Sequence, residues 1–176
     1  MDNKMLFKKG STRFYYVERP SGSGHFQLVA KNVRLYSHDF SGDRSKFKTR
    51  SICLDIPEEV KDRLLEDGWD VKISEPKDDR YEPRCYLPVT IRFNEYGPEI
   101  VKTGPNTPVK YDQDTVGVLD RTSMTDIELV INPFHNPNNP DARPKAYLSE
   151  MRFKLNVSPL DYEFDDDEDE DDLPFN

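Results

Sequence analysis

The chain has 176 residues, with 34 acidic against 25 basic side chains, a formal net charge of −9 and only 35% hydrophobic residues. That length suits one ordinary domain with a short appendage, and the absence of any run of 18 apolar residues excludes a membrane-spanning helix. Cys53 and Cys85 are isolated, without zinc spacing or a disulfide framework. Both are expected as small buried apolar residues, and neither a metal nor a cofactor is expected.

Residues 1–9 hold no apolar stretch of signal-peptide length, which predicts a cytoplasmic protein with no membrane partner. Period-two alternation then dominates. Strands are expected over 12–18, 26–36 and 45–55, with turn signals at Ser21-Gly22-Ser23-Gly24 and Ser41-Gly42-Asp43. One helix follows: Pro57 suits its first position, Glu58 and Glu59 complement its positive end, and Gly68 stops it. Val60, Leu64 and Leu65 give it an apolar edge.

Further strands are expected over 69–74, 84–93, 126–132 and 146–157, with weaker candidates at 99–103 and 115–119. In 84–93, Cys85, Leu87, Val89, Ile91 and Phe93 share one face, and Arg84, Tyr86, Thr90 and Arg92 share the other. Pro88 marks an edge strand or a bulge. Trp69, Phe93 and Phe153 are assigned to the core. Residues 104–113 and 133–145 read as long loops, and loops of that length in a compact domain are functional or disordered. Seven to nine short strands, one helix, 14 Pro and 8 Gly point to an all-β antiparallel barrel or sandwich, with the helix plugging one end.

The last segment, 161–176, is different. It carries ten of the acidic residues and finishes on Leu173-Pro174-Phe175 before Asn176. Too little apolar surface is present to offset ordering it, so a disordered tail is expected. Without it, residues 1–160 hold 24 acidic against 25 basic residues. The chain thus divides into a nearly neutral domain, 1–160, and a polyanionic tail, 161–176. A polyanion ending in an aromatic anchor fits docking by charge and then by burial.

On the domain, aromatic and basic residues are interleaved: Arg13 with Tyr15, Arg34 with Tyr36, Lys46 and Lys48 around Phe47 with Arg50, Arg80 with Tyr81, Arg84 with Tyr86, and Arg143 with Lys145 and Tyr147. Arg92 extends the basic set. Single-stranded nucleic acid offers base faces to stack on and phosphates to neutralise, so repetition of this pattern nominates these residues as its site. Two-residue spacing places Arg34 with Tyr36, and Arg84 with Tyr86, on one side of a strand. Any single pair, taken alone, is better read as a half-buried Tyr with a solvating Arg. Phe47 is expected to point away from Lys46 and Lys48.

Enzymatic readings lack residues to support them. There is no P-loop, no GxSxG and no HExxH, and His25, His38 and His135 are scattered. Asp78-Asp79, a conceivable magnesium pair, sits in a polar turn beside Lys77 and Arg80, where solvation accounts for it. The protein is therefore read as a non-enzyme.

Two stretches are similar to single-stranded DNA-binding proteins encoded by bacteriophages. One is the tip Asp171-Asp172-Leu173-Pro174-Phe175, which is similar to the tip of bacterial single-stranded DNA-binding proteins, where carboxylates precede an apolar residue, Pro and Phe. The other is Ala30-Lys31-Asn32-Val33-Arg34-Leu35-Tyr36, together with the strand, Asn/Pro loop and strand over 127–155. The resemblance implies an OB-fold-like domain that coats and protects single-stranded DNA in replication, recombination and repair, in the host cytoplasm. It also implies that Asp171, Asp172, Leu173, Pro174 and Phe175 recruit replication or recombination proteins. The bacterial tip ends on Phe, whereas Asn176 follows here, which favours a phage-specific partner equally. Monomer and homodimer both remain open.

The charge division suggests that the tail competes with DNA for the basic groove and is released when DNA binds. The alternative is an acidic DNA mimic or chaperone-like protein whose active surface is the tail, which the domain's positive balance disfavours.

Overall fold

The computed structural model describes residues 4–18, 26–76, 78, 80–95, 97–104, 107–135 and 137–156. In chain order these form β1 (Lys4–Lys9), β2 (Thr12–Glu18), β3 (Phe26–Val33), β4 (Leu35–Asp39), β5 (Arg50–Ile56), α1 (Glu58–Glu66) and β6 (Lys72–Ser74). There follow β7 (Arg84–Ile91), β8 (Glu99–Lys102), β9 (Val109–Tyr111), a 3-10 helix (Val116–Arg121), β10 (Met124–Phe134) and β11 (Lys145–Leu155). The acidic segment 161–176 lies outside the described residues.

Hydrogen-bonded neighbours run β1-β2-β3-β10-β11-β7-β5-β4. Only Arg34 separates β3 from β4, so the expected strand 26–36 is one run with a bend. Its first half pairs with β10 and its second with β5. The path that leaves β3 thus returns to β4 on the same run, and the sheet curls into a partly open, OB-fold-like barrel. Pairing is antiparallel except where β11 meets β7 and β8 in parallel.

Alternation supplies the core. Ile52, Leu54 and Ile56 of β5, Cys85, Leu87, Val89 and Ile91 of β7, Leu129 and Ile131 of β10, and Met151 and Phe153 of β11 are buried. Each large apolar side chain so covered contributes about 1.5–3 kcal/mol. Trp69 and Phe153 join them as expected. Phe93, past the end of β7, is only partly buried. Cys85 is buried, but Cys53 is half-exposed, because the alternation that turns Ile52 and Leu54 inward sends Ser51, Cys53 and Asp55 out.

Pro88 does not mark an edge or a bulge. β7 pairs with β5 from Cys85 to Ile91, and its other side pairs with β6 at Arg84 to Tyr86 and with β11 at Val89 and Thr90. Pro88 falls in the gap between those two partners, where that edge has no ladder bond to lose.

The helix forms where expected, with Pro57 as N-cap rather than first helical residue. Its end is a Schellman turn: Gly68, at φ +99°, donates its N–H to Leu65 O, and Trp69 N–H reaches Leu64 O at 3.0 Å. Val60 and Leu64 are buried, and Leu65 is partly so. Trp69 Nε1 donates to Tyr16 Oη at 2.8 Å, and Tyr16 Oη donates to Asp67 Oδ2 at 2.7 Å, tying α1 to β2.

Four elements differ from expectation. Residues 45–49 are turn rather than strand, and 115–119 falls in a 3-10 helix that buries Val116 and Leu119, three apart, although Val116 and Val118 alternate as in a strand. β1 and β9 were not expected: Met5, Leu6 and Phe7 of β1 run together rather than alternate, and β9 has only three residues.

Burial, and then the bond to Asp67, push the Tyr16 hydroxyl well above the ordinary tyrosine range. A raised folded-state value gives stability that is complete below about pH 10 and is lost as pH rises beyond it. Tyr16→Phe should therefore lower stability at pH 7 by about 1 kcal/mol. The gap to wild type in urea denaturation should shrink above pH 10.

Candidate nucleic-acid interface

The outward residues of β4, β5 and β7 form a face that is neither core nor fully solvated. The register between β4 and β5 shifts between Leu35 and Ser37, and the additional residue is Tyr36. A bulge of this kind re-aims a side chain. The Tyr36 ring lies 5.0 Å, centroid to centroid, from that of Tyr86 on β7. Strands two apart in a sheet are separated by about 9.6 Å. The two rings therefore lean toward each other over β5.

The Arg84 guanidinium lies over the Tyr36 ring, 4.5 Å from its centroid, and pairs with Asp55 at 3.4 Å. Tyr36 Oη donates to Ser74 Oγ at 3.2 Å. Arg84 and Tyr86 do share a side of their strand. Arg34 does not accompany Tyr36, because the bend and the bulge intervene between them. Arg34 instead lines a cleft of about 670 Å³ with Asn32, His38 and Thr122.

One end of this face is bordered by residues 40–49. Two carboxylates shape the loop. Asp39, itself buried, accepts from Gly42 N at 3.0 Å and Arg44 N at 3.2 Å. Asp120, from the 3-10 helix, accepts from Phe40 N at 2.7 Å and Ser41 N at 3.0 Å and meets His38 Nδ1 at 3.0 Å. Burial works against its charge, yet the Phe40 amide, His38 and Ser41 hold it below the usual carboxylate range. Gly42, at φ +79°, allows Lys48 O to approach within 2.7 Å of where a Cβ would stand.

At the loop's tip Phe47 is 81% exposed, with Lys46 Nζ 5.7 Å from its ring. Lys48 is also exposed. Phe47 was expected opposite its lysines, as in a strand, but these residues form a turn. The signal present in the sequence was a turn-forming Ser-Gly-Asp just before Lys-Phe-Lys. The Arg50 guanidinium is otherwise engaged: it lies 5.3 Å from the Phe93 ring and donates to Gln113 O at 2.8 Å.

The side of the face toward β11 carries a second ring pair. Tyr147 contacts Phe134 edge to face at 5.5 Å, Phe134 is 47% exposed, and Lys145 is Phe134's partner in register. Tyr147 is in register with Thr90. That position is four residues along β7 from Tyr86, about 13 Å. Arg143, in the connection between β10 and β11, donates to Leu65 O at 3.2 Å and Trp69 O at 3.0 Å. It tethers that loop to the end of α1. Arg92 is exposed just beyond β7.

The remaining nominated residues lie elsewhere. Arg13 and Tyr15 project from β2, with Lys31 Nζ 5.9 Å from the Tyr15 ring, on the stretch of sheet separated from β7 by β3, β10 and β11. Arg80 is paired with Asp78 at 2.6 Å, beside a Tyr81 that is 66% exposed. Asp171, Asp172, Leu173, Pro174 and Phe175 lie outside the described residues. Among the described residues no three His, Cys, Asp or Glu gather as a metal ion would require, and no helix is long and apolar enough to cross a membrane.

Residues 24–172 match the model of a family described as a putative phage ssDNA-binding domain. The chain belongs to that family. The fold is similar to that of the single-stranded DNA-binding protein from bacteriophage Enc34 in complex with ssDNA, at 14% identity over 90% of this chain and 98% of that one, with a TM-score of 0.51. A C-terminal truncation of the Enc34 protein gives 14% identity, 90% and 96% coverage and a TM-score of 0.50. At this identity the likeness is one of fold. No curated protein matches the chain in sequence.

Gly42→Ala places a methyl group against the Lys48 carbonyl at a positive φ, and should cost more than about 1 kcal/mol. Limited trypsinolysis should then cut faster at Arg44, Lys46 and Lys48 than in the wild type, with cleavage elsewhere little changed.

Proposed function

We propose that this chain binds single-stranded DNA across the outer face of β5 and β7, between residues 40–49 and the connection from β10 to β11. The observation that carries the reading is the Tyr36–Tyr86–Arg84 cluster, flanked by Phe47 with its two lysines and by the Phe134–Tyr147 pair. OB-folds engage oligonucleotides through this part of the barrel and the two loops beside it. Family membership supports the ligand class, and so does a similarly folded Enc34 protein whose solved complex contains ssDNA.

In this reading rings receive bases while Lys46, Lys48, Arg92 and Lys145 meet phosphates. Arg50 and Arg143, already hydrogen-bonded to backbone carbonyls, hold the two loops. Arg13 and Tyr15 would meet only a strand that continues around the barrel. Coating of DNA in replication and recombination follows from the stacking mode, which tolerates any sequence. The acidic tail competes with DNA for the cationic loop and, once displaced, offers Leu173, Pro174 and Phe175 to replication proteins.

Tyr36→Ala, Tyr86→Ala and Phe47→Ala should each weaken binding of a labelled oligonucleotide by about 1–3 kcal/mol; unchanged affinity in all three would move the site off this face. Truncation after Leu160 should tighten binding at low salt, with the difference closing as salt rises. Equal affinities throughout a salt series would exclude competition by the tail.

A further inference from the structure

A carboxylate sits in the middle of this cationic and aromatic face. Asp55 projects outward from β5, and its Cα partner in register is Tyr86. The Tyr36 and Tyr86 rings lean over the strand that carries it. Its backbone N–H is bonded to Arg34 O at 3.0 Å, which fixes the position of the residue. The side chain is about one-third exposed and lines both the 670 Å³ cleft and a second one of about 640 Å³. Among the described residues its only charged partner is Arg84, at 3.4 Å from Oδ1, and no hydrogen bond is donated to Oδ2. Arg84 already lies over Tyr36.

Such a group repels phosphate, so on a DNA-binding face it weakens binding unless the ligand brings a donor to it. Base edges bring that donor. Cytosine N4 and adenine N6 carry amino groups, and carboxylates accept from cytosine N4. In a single strand these edges are open for reading. Thymine presents a carbonyl oxygen where cytosine presents its amino group, so a carboxylate set at position 4 meets an acceptor, and thymine's one donor, N3–H, stands between two carbonyl oxygens that repel it.

Resting on the proposed DNA-binding function, we propose that Asp55 reads the base stacked at the Tyr36–Tyr86 cluster, favouring an amino-bearing edge over thymine. Stacking supplies the affinity and Asp55 the preference.

The test compares two labelled 20-mers, one of 5-methyldeoxycytidine and one of thymidine. Their bases share the methyl group and differ at position 4 and in the N3 proton. Wild-type protein should prefer the 5-methylcytosine strand by about tenfold or more, the worth of one hydrogen bond to a charged group. Asp55→Asn, whose amide can both donate and accept, should bring the ratio toward one. Its melting temperature reports separately on the fold. If wild type binds both strands equally, the base-reading role is overturned. The same holds if Asp55→Asn tightens both equally, since the carboxylate then acts only as a charge. Failure to bind either strand overturns DNA binding itself.

Discussion

The run from Phe26 to Asp39 is shared between two neighbours, and the rest of the barrel follows from the bend that makes this sharing possible. Its first half is bonded to β10 and its second to β5. A straight strand would hold both halves to the same partners. Just before the bend Asn32 takes φ +51°, a conformation asparagine tolerates better than most residues, and its carbonyl accepts from Thr12 Oγ1 at 2.8 Å. Asn32 is itself the extra residue in the pairing with β10, and Asp126, at φ +50°, falls in the shift of register between β10 and β11. After the bend, Arg34 O accepts from Asp55 N and starts the new ladder. Placing β4 beside β5 is what allows Tyr36 to reach Tyr86.

Charge on the candidate face depends on how carboxylates are used. Asp39 and Asp120 direct their oxygens at backbone amides of Phe40, Ser41, Gly42 and Arg44. They organise the loop while leaving Lys46 and Lys48 without an acidic partner among the described residues, and both lysines stay exposed. Arg50 and Arg143 follow the opposite course. Their guanidinium groups serve carbonyl oxygens inside the protein, and a charge held this way positions a loop more than it attracts a polyanion. Residue type alone does not separate these two uses of a cation.

Much of the fold was legible because a half-buried strand must alternate, and the alternation is written in residue types. β2 spans 12–18 as read, the inward set of β7 is the one expected, and Gly68 ends α1 through the positive φ it was credited with. Short elements were illegible for the same reason, since three residues of β9 cannot display a period. The 3-10 helix buries Val116 and Leu119, three apart, whereas Val116 and the exposed Val118, two apart, supply the alternation that reads as a strand.

For the site, residue order alone places cations beside rings on several strands and sets an acidic segment apart from them. Those are properties of composition and spacing, which no folding step alters. Which of them meet is settled by how the strands pack. Arg34 and Tyr36 were separated by a bend and a bulge, Tyr36 received Arg84 from a strand nearly fifty residues away, and Phe47 moved from a presumed strand to an exposed turn. Such partnerships depend on register between distant strands, which is set by packing of the whole barrel and not by neighbours along the chain.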